Sequence, residues 1–305
     1  MGGDIYFEST CGIKLHAYCW EPEGAPKAIV QIIHGIAEHV QRYDHFARFL
    51  NEQGYLVVAE DHMGHGKSIC REVPQGYFDG GWDAAVEDCC RLMEKVMAEY
   101  PRVPYILFGH SMGSFLARSI LIKRPYSGIR AAIICGSAWM PGLVIQGGKL
   151  MSGLLMRGVS AKQPSEALQK VMFSGYDKRI ENPRTPCDWL TRDEAIVDAY
   201  IADPRCGFAP TPALANAMMN GLLYIQNANN LKSMNKDLAV HFVAGGEDPV
   251  GAYGEGVRKA AKVFLASGMK HVSVKLYPGC RHEILNELNK DEVYQDILAW
   301  MDSKL

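Results

Sequence analysis

VPYILFGHSMGSFLARSILIK, residues 103–123, joins a short apolar run to a helical pattern through the pentapeptide Gly109-His110-Ser111-Met112-Gly113. The apolar run, Val103 to Phe108, reads as a buried strand, and Ser114 to Lys123 as a helix. A G-x-S-x-G sequence alone is weak, because short patterns recur by chance. Between a strand and a helix it has a mechanical meaning. The serine sits on a tight turn that pushes it above the sheet, and the flanking glycines let backbones approach closely. The helix beginning just after Ser111 supplies free N–H groups and the positive end of a dipole. The competing reading, a glycine-rich turn with a serine helix cap, needs none of this arrangement.

The same rhythm extends in both directions. Continuous apolar runs occur at Ala28 to Ile33, Tyr55 to Ala59 and Arg130 to Cys135. Helical patterns separate them, Tyr43 to Gln53 and Trp82 to Tyr100 among them. Short apolar runs alternating with helices describe a mostly parallel, doubly wound α/β sheet. An N-terminal hairpin precedes it, from Ile5 to Trp20, turning at Thr10-Cys11-Gly12. The rhythm breaks at residue 139, where Gly, Met, Pro and charged clusters replace it, and resumes with Leu238 to Ala244. A helix over Tyr253 to Ser267, a strand over Val272 to Tyr277 and a final helix over Glu283 to Met301 follow. The expected division is a core over 1–138, a helical cap insertion over 139–209 and the rest of the core over 210–305.

Composition sets the outer limits. The 305 residues are 48% hydrophobic and 22% charged, which suits a globular chain and excludes a disordered one. Thirty-two Lys plus Arg against 34 Asp plus Glu leave a net charge of -2, so no nucleic-acid partner is expected. Nine cysteines, without C-x-x-C spacing, suggest neither a disulfide framework nor a zinc ribbon; Cys89 and Cys90 are expected reduced. MGGDIYFEST carries no secretory pattern, and Tyr6 breaks a myristoylation motif. No run of 18 apolar residues occurs, and a cytoplasmic location is expected.

A serine nucleophile needs a general base, since a free hydroxyl is barely ionised at neutral pH. Ten histidines are present. On such a fold the chain order is Ser, then acid, then His. His282 follows the last strand in YPGCRHEILNE, whereas His271 precedes that strand and would lie at its opposite end. The acid should follow the strand before, where Glu247 and Asp248 both stand; Asp before Pro249 suits a rigid turn. Backbone donors for a developing oxyanion are expected at Met112 and, after the first parallel strand, at Ile36 beyond His34 and Gly35.

HGIAEHVQRYDHFARFL, GYLVVAEDHMGHGKS, FGHSMGS, GGEDPVG and YPGCRHEILNE together resemble the monoacylglycerol lipase and lysophospholipase branch of the α/β hydrolases. That branch includes sequences labelled serine aminopeptidases. The likeness covers residues 28–137 and 238–290. It implies the α/β-hydrolase fold, with Ser111 as nucleophile, Asp248 as acid, His282 as base, and the N–H groups of Ile36 and Met112 as oxyanion donors. It also implies that His34, Gly35, Glu38, His39 and Arg42 support the oxyanion loop. Met63 departs from the arginine many members carry there.

Other signals are weaker. MGHGKS lacks the first glycine of a phosphate loop, since Asp61 stands in its place and is read instead as holding a turn. His34, His39, His45, His62 and His65 carry no H-E-x-x-H spacing, so no metal and no cofactor are expected. GLVIQGGKLMSGLLMRGV, residues 142–159, is apolar, with Leu150, Leu154 and Leu155 on one face. It reads either as a packed helix or as a cap element that receives an acyl chain or touches membrane or lipid aggregates. Met140, Met151, Met156, Met218 and Met219 would give an adaptable lining.

The expected activity is hydrolysis of carboxylic esters with a small or medium acyl group, including lipid-derived monoacylglycerols or lysophospholipids, through an acyl-serine intermediate. Two alternatives stand beside it, one within the enzyme class and one outside it. An aminopeptidase or amidase would use the same three residues and need a carboxylate pair for the substrate amine, drawn from Glu181, Asp188, Asp193 and Glu194. A catalytically silent binding protein would have no need to keep all three.

Overall fold

The computed structural model describes residues 2–158 and 160–305. Val159, the last residue of the apolar run read above, and Met1 lie outside the described residues. Eight strands build one sheet: β1 (Gly3–Glu8), β2 (Lys14–Trp20), β3 (Ala28–Ile33), β4 (Tyr55–Glu60), β5 (Tyr105–His110), β6 (Ile129–Cys135), β7 (Ala239–Gly245) and β8 (His271–Tyr277). Their spatial order is β1-β2-β4-β3-β5-β6-β7-β8. The hairpin strand β2 joins β4 antiparallel, and every pairing from β4 to β8 is parallel. Strands β3, β4, β5 and β7 are buried at every position, which explains why they read as largely apolar runs.

Side chains alternate between two cores, as a period of two requires. On β3, Ile29 and Ile33 join one cluster, while Val30 and Ile32 join the other. Helices α1 (Asp44–Glu52) and α10 (Lys290–Asp302) cover the second face through Phe46, Leu50, Ile297 and Met301. Helices α2 (Gly81–Glu99), α3 (Met112–Lys123) and α9 (Glu255–Ala266) cover the first. Between β6 and β7 lie α4 (Gly142–Gly158), α5 (Glu166–Met172), α6 (Glu194–Ala202), α7 (Pro212–Ile225) and the short α8 (Ala228–Leu231). Thr211 caps α7 by accepting from the Leu214 N–H, with Pro212 in the first turn. Gly221 on α7 has no room for a side chain, since a Cβ there would meet the Trp82 ring at 2.1 Å.

One expectation fails locally. The final helix does not begin at Glu283. A 3-10 turn occupies Ile284–Asn286, and α10 starts only at Lys290. The intervening backbone is held by side chains instead: the Glu287 carboxylate accepts from the N–H groups of Arg281, Arg192 and Leu288. Among the described residues, no helix is long and apolar enough to cross a membrane.

The parallel strands end along one edge of the sheet. His34 and Gly35 follow β3, Ser111 follows β5, Gly136 follows β6, Asp248 follows β7, and His282 follows β8 after a short turn. Ligand sites of open α/β sheets form at this edge.

Candidate active site

Ser111 has φ 52° and ψ -120°, a conformation few L-residues adopt, at the junction of β5 and α3. Its neighbours make the bend possible. A Cβ on Gly109 would lie 2.5 Å from the Gly113 carbonyl oxygen, so α3 could not pack back onto β5 with a side chain there. The Ser111 N–H donates to the Cys135 carbonyl at 3.0 Å, fixing the turn to β6. Ser114 ties off the first helical turn by donating its hydroxyl to the Ser111 carbonyl at 2.6 Å.

The three residues expected as a triad come to this edge from three separate strand ends. His282 Nδ1 pairs with Asp248 Oδ1 at 3.0 Å. Asp248 is fully buried, and its Oδ1 also accepts from the Val250 N–H at 2.9 Å. Glu247 is exposed, so of the two adjacent carboxylates only Asp248 meets the imidazole. Burial on its own would depress the basicity of His282, but the Asp248 charge and hydrogen bond, with Glu283 and Glu38 beyond, outweigh it and raise the pKa above 6.5. The His110 ring lies 4.7 Å from that of His282, and burial first, then the neighbouring His282, push His110 down to about 4. Ser111 and His282 both line one cavity.

The loop after β3 carries Ile36. Gly35 has its N–H bonded to Glu38 Oε1 at 2.6 Å, and a Cβ there would lie 2.7 Å from that oxygen and 3.1 Å from Ser111 Cβ. Ala37 holds φ 55°, so the loop is bent back sharply. Glu38 Oε1 also accepts from the Tyr43 hydroxyl at 2.9 Å, and Arg42 donates to Glu38 Oε2 at 2.9 Å. His34 Nδ1 meets the Gly35 carbonyl at 2.7 Å, and its Nε2 accepts from the His62 N–H at 3.0 Å. Burial holds the His34 pKa well down and that of His65 at about 3. Asp61 anchors the next turn, accepting from the Val40 and Lys67 N–H groups at 2.9 Å each and meeting His16 Nδ1 at 2.7 Å. Met63 is buried, and its sulfur accepts from the Asp79 N–H.

Several residues at the site carry no sequence signal. Glu283 receives a two-pronged bond from Arg42, at 2.6 and 2.7 Å, from a position 241 residues away. The segment between β6 and β7 touches both functional loops. The Trp189 ring lies 5.2 Å from His282, and the Trp189 and Leu190 carbonyls accept from the N–H groups of His282 and Glu283. Arg281 donates to the carbonyls of Asp188 and Thr191. Gly207 N–H and the Tyr200 hydroxyl both donate to the Ala37 carbonyl, at 2.9 and 3.1 Å. His39 Nε2 meets Asp203 at 2.9 Å.

The cavity above Ser111 has a volume of about 970 Å³. Its walls include Phe115, Met140, Met151, Leu168, Met218 and Met219, with Phe173, Tyr176 and Trp189 near His282. Met156 is not among these lining residues, whereas the other four methionines read as lining are. Of Glu181, Asp188, Asp193 and Glu194, none lines it. Asp188 binds Thr185 and the Arg184 N–H, Asp193 caps α6, and Glu194 faces solvent opposite Arg184.

Among the described residues, two groups bring metal-ligand side chains within 4.8 Å of one another, His39 with Asp203 and Cys206, and Glu60 with His62 and Cys89. Distant cysteines therefore do approach histidines, which spacing along the chain did not reveal. In the first group Asp203 already pairs with His39 and bidentately with Arg205, which fits a salt-bridge network better than a cation site. In the second, Glu60 accepts from Gln31 in a wholly buried network.

An eight-stranded, mostly parallel sheet with a serine elbow at its carboxyl edge and a His–Asp pair beside it defines an α/β hydrolase. Comparison with known proteins refines that class. The family model described as serine aminopeptidase, S33, matches residues 24–289, and the chain belongs to that family. It is similar to a monoacylglycerol lipase of Mycolicibacterium smegmatis, 29% identical over 98% of this chain and 96% of that protein. A monoglyceride lipase of Homo sapiens is 26% identical over 96% of this chain and 88% of its own length. Among solved structures, a thermostable carboxyl esterase from Bacillus coagulans in complex with glycerol superposes with a TM-score of 0.91, at 31% identity over 99% of this chain and 98% of that one.

Proposed function

We propose that this ester-hydrolysing serine hydrolase cleaves monoacylglycerols and related lipid-derived esters, with Ser111 as nucleophile, His282 as general base and Asp248 as its orienting acid. The observation that carries the reading is the placement of the strained Ser111 on the floor of a large, mostly apolar cavity that His282 also lines. His282 takes the Ser111 proton as Oγ attacks the ester carbonyl, and Asp248 stabilises the imidazolium that results. The N–H groups of Ile36 and Met112 hold the tetrahedral oxyanion. The alcohol leaves with a proton from His282, and water activated by the same imidazole hydrolyses the acyl-Ser111 ester.

The cavity volume, about 970 Å³, is at the upper end of the roughly 300–1,000 Å³ usual for small-molecule sites. A long acyl chain with its alcohol fits this space better than the small or medium group expected at first. Relatives named monoacylglycerol lipase support the same substrate class. We read residues 139–209 as a cap. Its helix α4 turns Leu143, Leu150 and Leu154 to solvent, at 84, 66 and 58% exposure, which suits transient contact with lipid aggregates. All nine cysteines are unpaired, which suits a reducing, cytoplasmic compartment.

An amine substrate is disfavoured by specific contacts. The carboxylates lining the cavity are Glu38, Asp177 and Glu283, and the first and last are both engaged by the Arg42 guanidinium rather than free to bind an ammonium group. The deciding experiment is a panel of monoacylglycerols, p-nitrophenyl esters of graded length, lysophospholipid and aminoacyl amides. Hydrolysis strongest on long-chain monoacylglycerol, abolished in Ser111→Ala, is expected. Preference for aminoacyl amides, or activity surviving in Ser111→Ala, would overturn the reading.

A further inference from the structure

We propose that Glu283 is a positioning residue that, through Arg42, locks the loop carrying His282 to the loop carrying Ile36. The inference rests on the esterase reading above. The loop after β8 and the loop after β3 share no strand pairing, because β5, β6 and β7 separate those strands in the sheet. Yet a base and an oxyanion donor must be set relative to one another within a fraction of an ångström. Arg42 spans the gap. Its fork grips both oxygens of Glu283, at 2.6 and 2.7 Å, while the same Nη1 reaches Glu38 Oε2 at 2.9 Å. Glu38 in turn holds the Gly35 N–H, one residue before Ile36.

The anchorage continues on the other side. Glu283 N–H donates to the Leu190 carbonyl at 2.7 Å, and Asn286 donates to Glu283 Oε2 at 2.9 Å. Glu38 and Glu283 are 3 and 4% exposed, and the Arg42 side chain 12%. A buried group of two carboxylates around one guanidinium is a poor device for stability, because desolvation offsets most of the Coulombic gain. Its geometric specificity is what an apolar cluster would lack.

The arrangement also has an electrostatic consequence. Two carboxylates against one guanidinium leave one net negative charge beside His282. The charged and titratable groups facing His282 are Asp248 from the turn after β7, His110 from the end of β5, Glu283 on its own loop, Glu38 with Arg42 from the loop after β3, and Tyr176 from the segment between β6 and β7, whose phenol burial pushes up to about 12. Removing the Glu283 charge therefore makes the imidazole easier to deprotonate, and Arg42, then less neutralised, acts in the same direction.

The test compares full-length parental enzyme with Glu283→Gln and Arg42→Lys on a water-soluble p-nitrophenyl ester, recording kcat, KM and the pH profile of kcat/KM. Glu283→Gln is expected to move the acid limb to lower pH by about half a unit or more. It should lower kcat about 10- to 100-fold while KM changes little. A folded Glu283→Gln protein that keeps either the parental acid limb or the parental kcat overturns the proposal. Should that variant fail to fold, Arg42→Lys decides, because it keeps the charge but loses the fork. A lowered kcat at an unmoved acid limb supports the link, and a parental kcat overturns it. Ser111→Ala runs in parallel: if it stays active the esterase reading itself has failed, whereas an inactive Ser111→Ala beside a parental Glu283→Gln refutes only this inference.

Discussion

A Cβ on Gly113 would lie 1.9 Å from the carbonyl oxygen of Ile33. The start of α3 thus rests directly on the end of β3, and backbone cannot move aside as a flexible side chain would. Gly113→Ala is expected to destabilise the fold by about 3 kcal/mol or more, since the added methyl displaces either the helix or the strand. Urea unfolding followed by tryptophan fluorescence measures this. A midpoint within error of the parental protein would show that the contact is looser than described.

Ser111 gives a second prediction, because it occupies backbone space that glycine tolerates. Ser111→Ala and Ser111→Gly should both lose several orders of magnitude in turnover. They should differ in stability. Glycine relieves strain of order 1–3 kcal/mol and forfeits roughly 0.5–1 kcal/mol of chain entropy. Ser111→Gly should therefore melt higher than Ser111→Ala, by about 1 kcal/mol in a two-state analysis. Equal melting temperatures would mean that the elbow is not strained.

The Asp248–His282 pair makes activity and one part of stability respond oppositely to pH. On the proposed mechanism His282 must be neutral to act as a base, and its pKa in the folded protein is raised above 6.5. The acid limb of kcat/KM is therefore expected above pH 6.5. The pair's contribution to stability is fully present below 6.5, where the imidazolium exists in both states, and is lost as pH rises through the folded value. Asp248→Asn should remove this contribution and lower kcat about 10⁴-fold, as loss of the orienting carboxylate does in serine triads. An acid limb below pH 6 in the parental enzyme would contradict the charge environment described.

The exposed leucines of α4 can be tested without touching the core. Leu150→Gln with Leu154→Gln should leave stability within about 0.5 kcal/mol, because both side chains already face solvent. Hydrolysis of monoacylglycerol presented in phospholipid vesicles should fall about tenfold, while that of a dissolved short-chain ester stays parental. Equal losses on both substrates would mean that Leu150 and Leu154 act on the cavity instead of a lipid surface.

How far the molecule could be read in advance follows from the range of its interactions. β3, β4 and β5 were legible because strands buried on both faces need largely apolar runs, and helical patterns separate them along the chain. Gly109, Ser111 and Gly113 were legible because their constraint is local, five residues wide. Arg42 and Glu283 could not be matched, since any surface arginine and glutamate look the same until the fold brings positions 241 residues apart together. The break before α10 was missed for a related reason: the Glu287 side chain holds that backbone in place of helical bonds, and a periodic pattern does not register it. Trp189, Tyr200 and Gly207 lie in irregular or short elements whose docking is set by tertiary contacts alone.

The segment 188–207 holds Ala37 on one side and His282 on the other, so on the proposed mechanism one piece of chain would brace both the oxyanion loop and the base. This bears on how such an enzyme can diversify. Transplanting residues 139–209 from a relative would replace the wall of the cavity and, with it, the brackets that hold the base. A recombinant of that kind would inherit a new acyl preference only if the 280–289 loop travelled with the graft. Heritable change in specificity should therefore arise on α4, which lies outside these contacts, rather than in the stretch around Trp189.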